Sequence, residues 1–135
     1  MTMLDNSPSL PSLDSWLREA KCAENAQLNG MYLAHNGVVR LTPRSVVREG
    51  EEDNGPVVAM DFSFDAQKVE AAIHRAGLLP GIFYVRVWLN SGILLPGDDI
   101  MLVLVGGDIR PHVIDALQVL VGEIKTTCVS ETEIR

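Results

Sequence analysis

Apolar residues recur along this chain at two periods. Between Asp65 and Ala76 they fall three and four apart, at Val69, Ala72, Ile73 and Ala76, which is one face of a helix. Asp65 can cap that helix and Gly77 stops it. Val113, Ile114, Leu117, Leu120, Val121 and Ile124 predict a second buried helical face. That helix should begin after a cap at Asp108, carry Pro111 in its first turn and end near Lys125. A shorter helix is expected from Trp16 to about Ala26, capped by Asp14 or Ser15, with Trp16, Leu17 and Ala20 facing inward.

The period of two marks strands. Ile82–Leu89 places Tyr84, Arg86 and Trp88 on one face and Phe83, Val85 and Val87 on the other. Ile100–Val105 is almost wholly apolar, so it should be a central strand covered on both faces. Met31–Arg40, containing Gly37, and Val57–Phe64 read as two further strands. Helices and strands mix without strict βαβ alternation, which points to an α+β fold in a single domain. Pro8, Pro11 and three serines make residues 1–12 an expected flexible tail before a domain over 13–135. A polar, Arg- and Glu-rich loop is expected at 41–56, closing on Asp53-Asn54-Gly55-Pro56. Thr126–Arg135 is polar and β-branched and predicts no defined element.

A chain of 135 residues with 47% apolar and 21% charged residues can bury one core. The formal charge of −7 disfavours nucleic acid and anionic membrane as general partners, because like charges repel. It leaves room for a local basic pocket. Arg40, Arg44 and Arg48 are spaced four apart, which fits a solvated loop or an anion-binding patch. Cys22 and Cys128 lack metal-ligand spacing, and His35, His74 and His112 are scattered, so no metal and no resident cofactor is expected. The N-terminus has no basic-then-apolar leader and the apolar runs are short, so a reduced, cytoplasmic protein is expected. Lys125 reads either as a helix-end cation favoured by the helix dipole or as a reactive amine. Gly106-Gly107-Asp108 reads as a strand-to-helix turn or, less specifically, as a phosphate cradle.

Three segments in order carry a family resemblance: Gly37-Val38-Val39-Arg40, the turn Gly92-Ile93-Leu94-Leu95-Pro96-Gly97-Asp98, and the helix running from Arg110 to Lys125. Together, from about Gly30 to Lys125, the chain resembles the large, catalytic subunit of molybdopterin synthase, the MoaE family, with its α/β-hammerhead-type mixed sheet and packed helices. The resemblance implies molybdenum cofactor biosynthesis. A ubiquitin-like small subunit inserts a tail ending in a glycine thiocarboxylate, and sulfur passes to a cyclic pyranopterin phosphate. It also implies a homodimer, with Lys125 as a catalytic lysine and Arg40 and Arg110 as anion-binding residues. Both ligands are anions, which suits fixed cations in a shielded cleft. All three residues are therefore expected to converge on one positively charged site.

Several positions depart from the pattern. Thr132 stands where the family has a second active-site lysine, and Glu131 where it has a tryptophan. Leu89-Asn90 and Ile109-Arg110 replace two His-Arg pairs, and His35 replaces an aromatic residue. Each lost charge-assisted contact removes roughly 1.5–3 kcal/mol of anion binding. The alternative to an active sulfurtransferase is thus a non-catalytic MoaE-like binding or regulatory module.

Overall fold

The computed structural model describes residues 1–42 and 56–135. The elements in order are β1 (Thr2–Asp5), α1 (Leu13–Lys21), a 3-10 turn (Ala26–Leu28), β2 (Met31–Val38), β3 (Ala59–Phe64), α2 (Ala66–Gly77), β4 (Ile82–Leu89), β5 (Gly92–Leu94), β6 (Asp99–Gly107), α3 (Arg110–Glu123), a π-helical turn (Ile124–Cys128) and β7 (Val129–Ile134). They form two sheets, one ordered β1-β4-β6-β2 and the other β5-β3-β7. The architecture is α+β, as the mixed periodicity predicts. The expected 41–56 loop lies, except for its ends, outside the described residues.

The apolar run at Ile100–Val105 is β6, antiparallel to β4 on one side and β2 on the other, with every residue from Ile100 to Gly107 buried. Central position between two partners and cover on both faces account for its lack of alternation. On one face lies the main core, where Val85, Val87, Val103 and Val105 meet Ile73 and Val69 of α2 and Val113 and Leu120 of α3. On the other face Trp16 and Ala20 of α1 pack against Tyr84, Trp88, Leu102 and Leu104. The alternation read in β4 sorts Val85 and Val87 into the main core and Tyr84 and Trp88 into the second, but it fails at the register shift between Ile82 and Tyr84, where Ile82 joins the main core and half-buried Phe83 joins neither.

Helix α2 begins as expected: the Asp65 carboxylate accepts from the Gln67 and Lys68 amides at 3.0 and 3.3 Å, an arrangement worth about 1 kcal/mol. The other two caps differ from expectation. Ser12, not Asp14 or Ser15, caps α1 by accepting from the Ser15 amide at 3.2 Å, and the helix stops at Lys21 before a separate 3-10 turn. Ile109 is the cap residue of α3 and has no side-chain bond; Asp108, one residue earlier, accepts from the Ile109 amide and from His112 Nδ1. Of the stripe predicted for α3, Val113 and Leu120 are buried, Leu117 and Val121 are half-buried, and Ile114 is exposed.

Residues 1–12 are not a free tail throughout. Thr2–Asp5 adds a parallel strand to β4, from Thr2 opposite Val85 to Asp5 opposite Trp88. The Met1 ammonium donates to the Phe83 carbonyl at 2.6 Å, and Trp88 Nε1 donates to the Ser7 carbonyl at 2.8 Å. Four residues are too few to display a strand period. What holds them is tertiary: Arg86 reaches the Asp5 carboxylate at 2.9 Å and Trp16 Nε1 reaches it at 3.2 Å. Among the described residues no helix is long and apolar enough to cross a membrane.

Candidate functional site

Past Glu123 the helix widens. Thr126 Oγ1 donates to the Gly122 carbonyl at 2.9 Å and Thr127 Oγ1 to the Glu123 carbonyl at 2.7 Å, which occupies acceptors that an α-helical ladder would use. The resulting π turn is anchored by buried Ile124 and Cys128 and carries half-buried Lys125 between them. Single π turns of this kind commonly sit at functional sites. Cys128 is part of the core, which makes it a structural rather than a reactive thiol.

The second cation arrives from the far side of the chain. Gly97, with φ of +91°, closes the turn after β5 in a conformation that suits a residue without a Cβ. Its amide donates to the Val39 carbonyl at 2.8 Å, and the Val39 amide donates to the Asp98 carbonyl at 3.0 Å. The two glycine-bearing motifs, distant in sequence, are thus pinned to each other, and Arg40 follows directly from the pinned residue. Arg40 and Lys125 line one small cavity of about 60 Å³, walled by Val38, Met60 and Ile100.

Among the described residues two carboxylates also line this cavity, those of Glu131 and Glu133. Their placement follows from strand register. In β7, Glu131 lies opposite Phe62 and Glu133 opposite Met60, and both partners are buried, so both glutamates are on the inward face. Thr132 lies opposite exposed Asp61 and points to the outer face. The residue expected in place of a second lysine therefore does not face the cavity at all; two glutamates do. Sequence reading placed a negative charge at Glu131 but missed Glu133, and missed β7 as a strand. The signal was the alternation Val129, Glu131, Glu133, which does not look like an inward face because two of its members are charged.

Arg110 does not join this group. It is exposed at the first turn of α3, while Lys125 lies just past the last turn. At about 1.5 Å per residue they stand about 20 Å apart along the axis. The predicted convergence on one positively charged site brings Arg40 and Lys125 together, fails within one chain for Arg110, and fails in sign among the described residues, because Glu131 and Glu133 offset the two cations. Arg44 and Arg48 lie outside the described residues. Gly106 and Gly107 are strand residues: a Cβ on Gly106 would strike the Tyr32 ring at 2.7 Å and one on Gly107 the Val113 side chain at 2.7 Å. They serve close packing, and the Asp108 carboxylate already occupies the N-terminal end of α3. His74 is exposed near the end of α2.

His35, in sequence a scattered histidine standing where the family has an aromatic residue, has a definite setting in the structure. Its ring leans over Gly37, with Nε2 at 3.7 Å from where a Cβ on that glycine would stand. Nε2 is buried with no hydrogen-bond partner among the described residues. Burial, reinforced by the positive charge of Lys125, pulls its pKa below the ordinary 6.5, since both disfavour imidazolium. The ring is therefore neutral at neutral pH. The native state takes up this proton less readily than the unfolded chain, so the associated stability is full above about pH 6.5 and is lost as pH falls from there toward the native pKa. A two-dimensional NMR titration should place the His35 midpoint below 6.5, and Lys125→Met should move it upward. A midpoint at or above 6.5 would contradict the burial and the neighbouring charge alike.

Comparison with known proteins bears on the fold. No protein-family model matches the sequence, and no curated protein aligns with it significantly. Solved structures do match. Molybdopterin cofactor biosynthesis protein E from Burkholderia multivorans superposes with a TM-score of 0.73 at 18% identity, over 100% of this chain and 84% of that one. Molybdopterin synthase from Staphylococcus aureus gives 0.70 at 16% identity, over 98% and 90% of the two chains. A complex of subunits 1 and 2 of the molybdopterin-converting factor from Helicobacter pylori gives 0.62 at 19% identity, over 90% and 74%. The chain has the fold of these proteins along essentially its whole length.

Proposed function

We propose that this chain is a divergent large subunit of molybdopterin synthase, acting in molybdenum cofactor biosynthesis in the cytoplasm. In this reading a ubiquitin-like small subunit presents a C-terminal thiocarboxylate, and its sulfur is passed to a cyclic pyranopterin phosphate. The observation that carries it is the meeting of Arg40 and Lys125 in one cavity, within a fold shared along nearly the whole chain with molybdopterin biosynthesis proteins. A space of about 60 Å³ is far below the roughly 300–1,000 Å³ of an ordinary ligand pocket. It suits the tip of an extended chain. Arg40 supplies a planar, two-pronged donor for a terminal carboxylate or thiocarboxylate. Lys125, half-buried on a fixed turn, supplies the proton-carrying or covalently reactive amine. The two-subunit assembly of the Helicobacter pylori protein supports a small-subunit partner here. Arg110 enters such a site only from a second copy of the chain, which fits a homodimer.

A second reading, a binding or regulatory module without transfer, is favoured by one observation: Glu131 and Glu133 occupy the cavity and Thr132 faces away from it. One assay separates the two. The purified chain is mixed with a thiocarboxylated small subunit and cyclic pyranopterin phosphate, and complex formation and dithiolene product are both measured. Complex with product establishes the synthase reading. Complex without product leaves the module, and neither one removes both.

A further inference from the structure

We infer that Glu131 and Glu133 are specificity-determining residues, which make the cavity select a singly charged carboxylate-type chain end over a phosphate dianion. The inference rests on the reading of this cavity as the tail-binding site. Among the described residues four charged groups line it, two cations and two carboxylates, and these four balance in formal charge. Both glutamates are committed to the inward face by their pairing with buried Phe62 and Met60, and they cannot turn outward without reversing the whole strand. Whatever ion pairs the four groups make, the field a ligand meets is the sum over all of them.

That sum discriminates by ligand charge. The attraction of Arg40 and Lys125 and the repulsion of Glu131 and Glu133 both scale with the charge on the ligand, so a dianion suffers twice the repulsion of a monoanion. A dianion needs surplus positive charge to offset its larger desolvation cost, and a balanced lining does not supply it. A carboxylate needs only one well-aligned fork, which Arg40 can offer while the rest of the lining stays balanced. The small volume acts in the same direction, since it admits a narrow chain end more readily than a phosphate borne on a fused ring.

The test uses the full chain at about pH 8, where inorganic phosphate is mostly dianionic. Binding of inorganic phosphate and of a synthetic peptide ending in a glycine carboxylate is followed by NMR shift titration. The proteins are wild type, Glu131→Gln, Glu133→Gln and the double variant. The wild type should take the peptide and bind phosphate at least about tenfold more weakly. In the double variant phosphate affinity should rise by about 30- to 100-fold and peptide affinity by about five- to tenfold, a logarithmic gain about twice as large for the dianion. The single variants should fall between, which preserves the test should the double variant not fold. Equal gains for the two ligands, or no phosphate gain at all, would overturn the inference. Failure of the peptide to bind any of the proteins would instead remove the tail-site reading, while the phosphate series still decides the role of the glutamates.

Discussion

Lys125→Ala should reduce dithiolene formation by about 10²- to 10⁴-fold, the usual cost of losing a positioned acid, base or nucleophile. Lys125 is the amine among the residues that line the cavity, and it is half-buried between two core side chains, Ile124 and Cys128. Its backbone is held by the Thr126 and Thr127 hydroxyls, which bond to the last carbonyls of α3 rather than to the Lys125 side chain. Truncation should therefore leave those backbone-holding bonds of the turn in place, and a thermal melt by circular dichroism checks that the fold persists. Lys125→Arg sharpens the result. It keeps the charge and can still hold an anion, but a guanidinium does not release its proton in the working range. Loss of product in both variants with tail binding retained in Lys125→Arg identifies an amine that carries a proton or bond. Full activity in Lys125→Ala would end the assignment of this residue.

Arg86→Met should destabilise the fold by about 2–4 kcal/mol in urea denaturation, the range for a broken, largely buried ion pair after allowance for partial exposure. The Arg86 side chain is 12% exposed, and its guanidinium donates to Asp5 at 2.9 Å and to Glu19 at 2.8 Å and lies 4.7 Å from the centre of the Trp16 ring. It thereby ties β1 and α1 to the outer face of β4. Without it the Asp5 carboxylate, itself 11% exposed, loses its cation. Burial raises the pKa of Asp5, but hydrogen bonds from the Ser7 side chain and amide and from Arg86 outweigh this, and the net shift is downward. A carboxyl with a depressed native pKa contributes stability that is present above about pH 4 and is lost as pH falls through the native value. The gap between wild type and Arg86→Met should accordingly be widest at neutral pH and shrink toward pH 3. Asp5→Asn placed in the Met background should recover part of the loss. A gap that does not change with pH would assign the effect to packing on Trp16 and not to the ion pair.

The sequence disclosed best what depends on burial pattern. The run Ile100–Val105 marks a two-sided strand, the alternation from Tyr84 to Trp88 sorts its apolar residues correctly between two cores, and Asp65 caps the helix it precedes. Elements whose stability is tertiary were not legible. β1 is four residues long and is held by Arg86 and Trp16, both distant in sequence. β7 hides its inward face because Glu131 and Glu133 occupy it, and a polar inward face has no hydrophobic signature. The site divided in the same way. The glycine motifs and the helix-end lysine are local patterns; the motifs come together through the contact of Gly97 with Val39, and Lys125 lines the same cavity as Arg40. Arg110 shares a helix with the approach to Lys125, and the length of that helix is the reason the two are apart.

The π-helical turn between α3 and β7 has a consequence for insertions and deletions. Strand faces alternate with every residue, so the number of residues between Ile124 and the first rung of β7 decides which half of that strand looks inward. Removing one residue there would present Ser130 and Thr132 to the interior and expel both acidic side chains at a stroke. The charge balance of the site is thus set by whether a short stretch of chain is odd or even, and a single-codon length change can tip it from balanced to positive where a point substitution alters only one group.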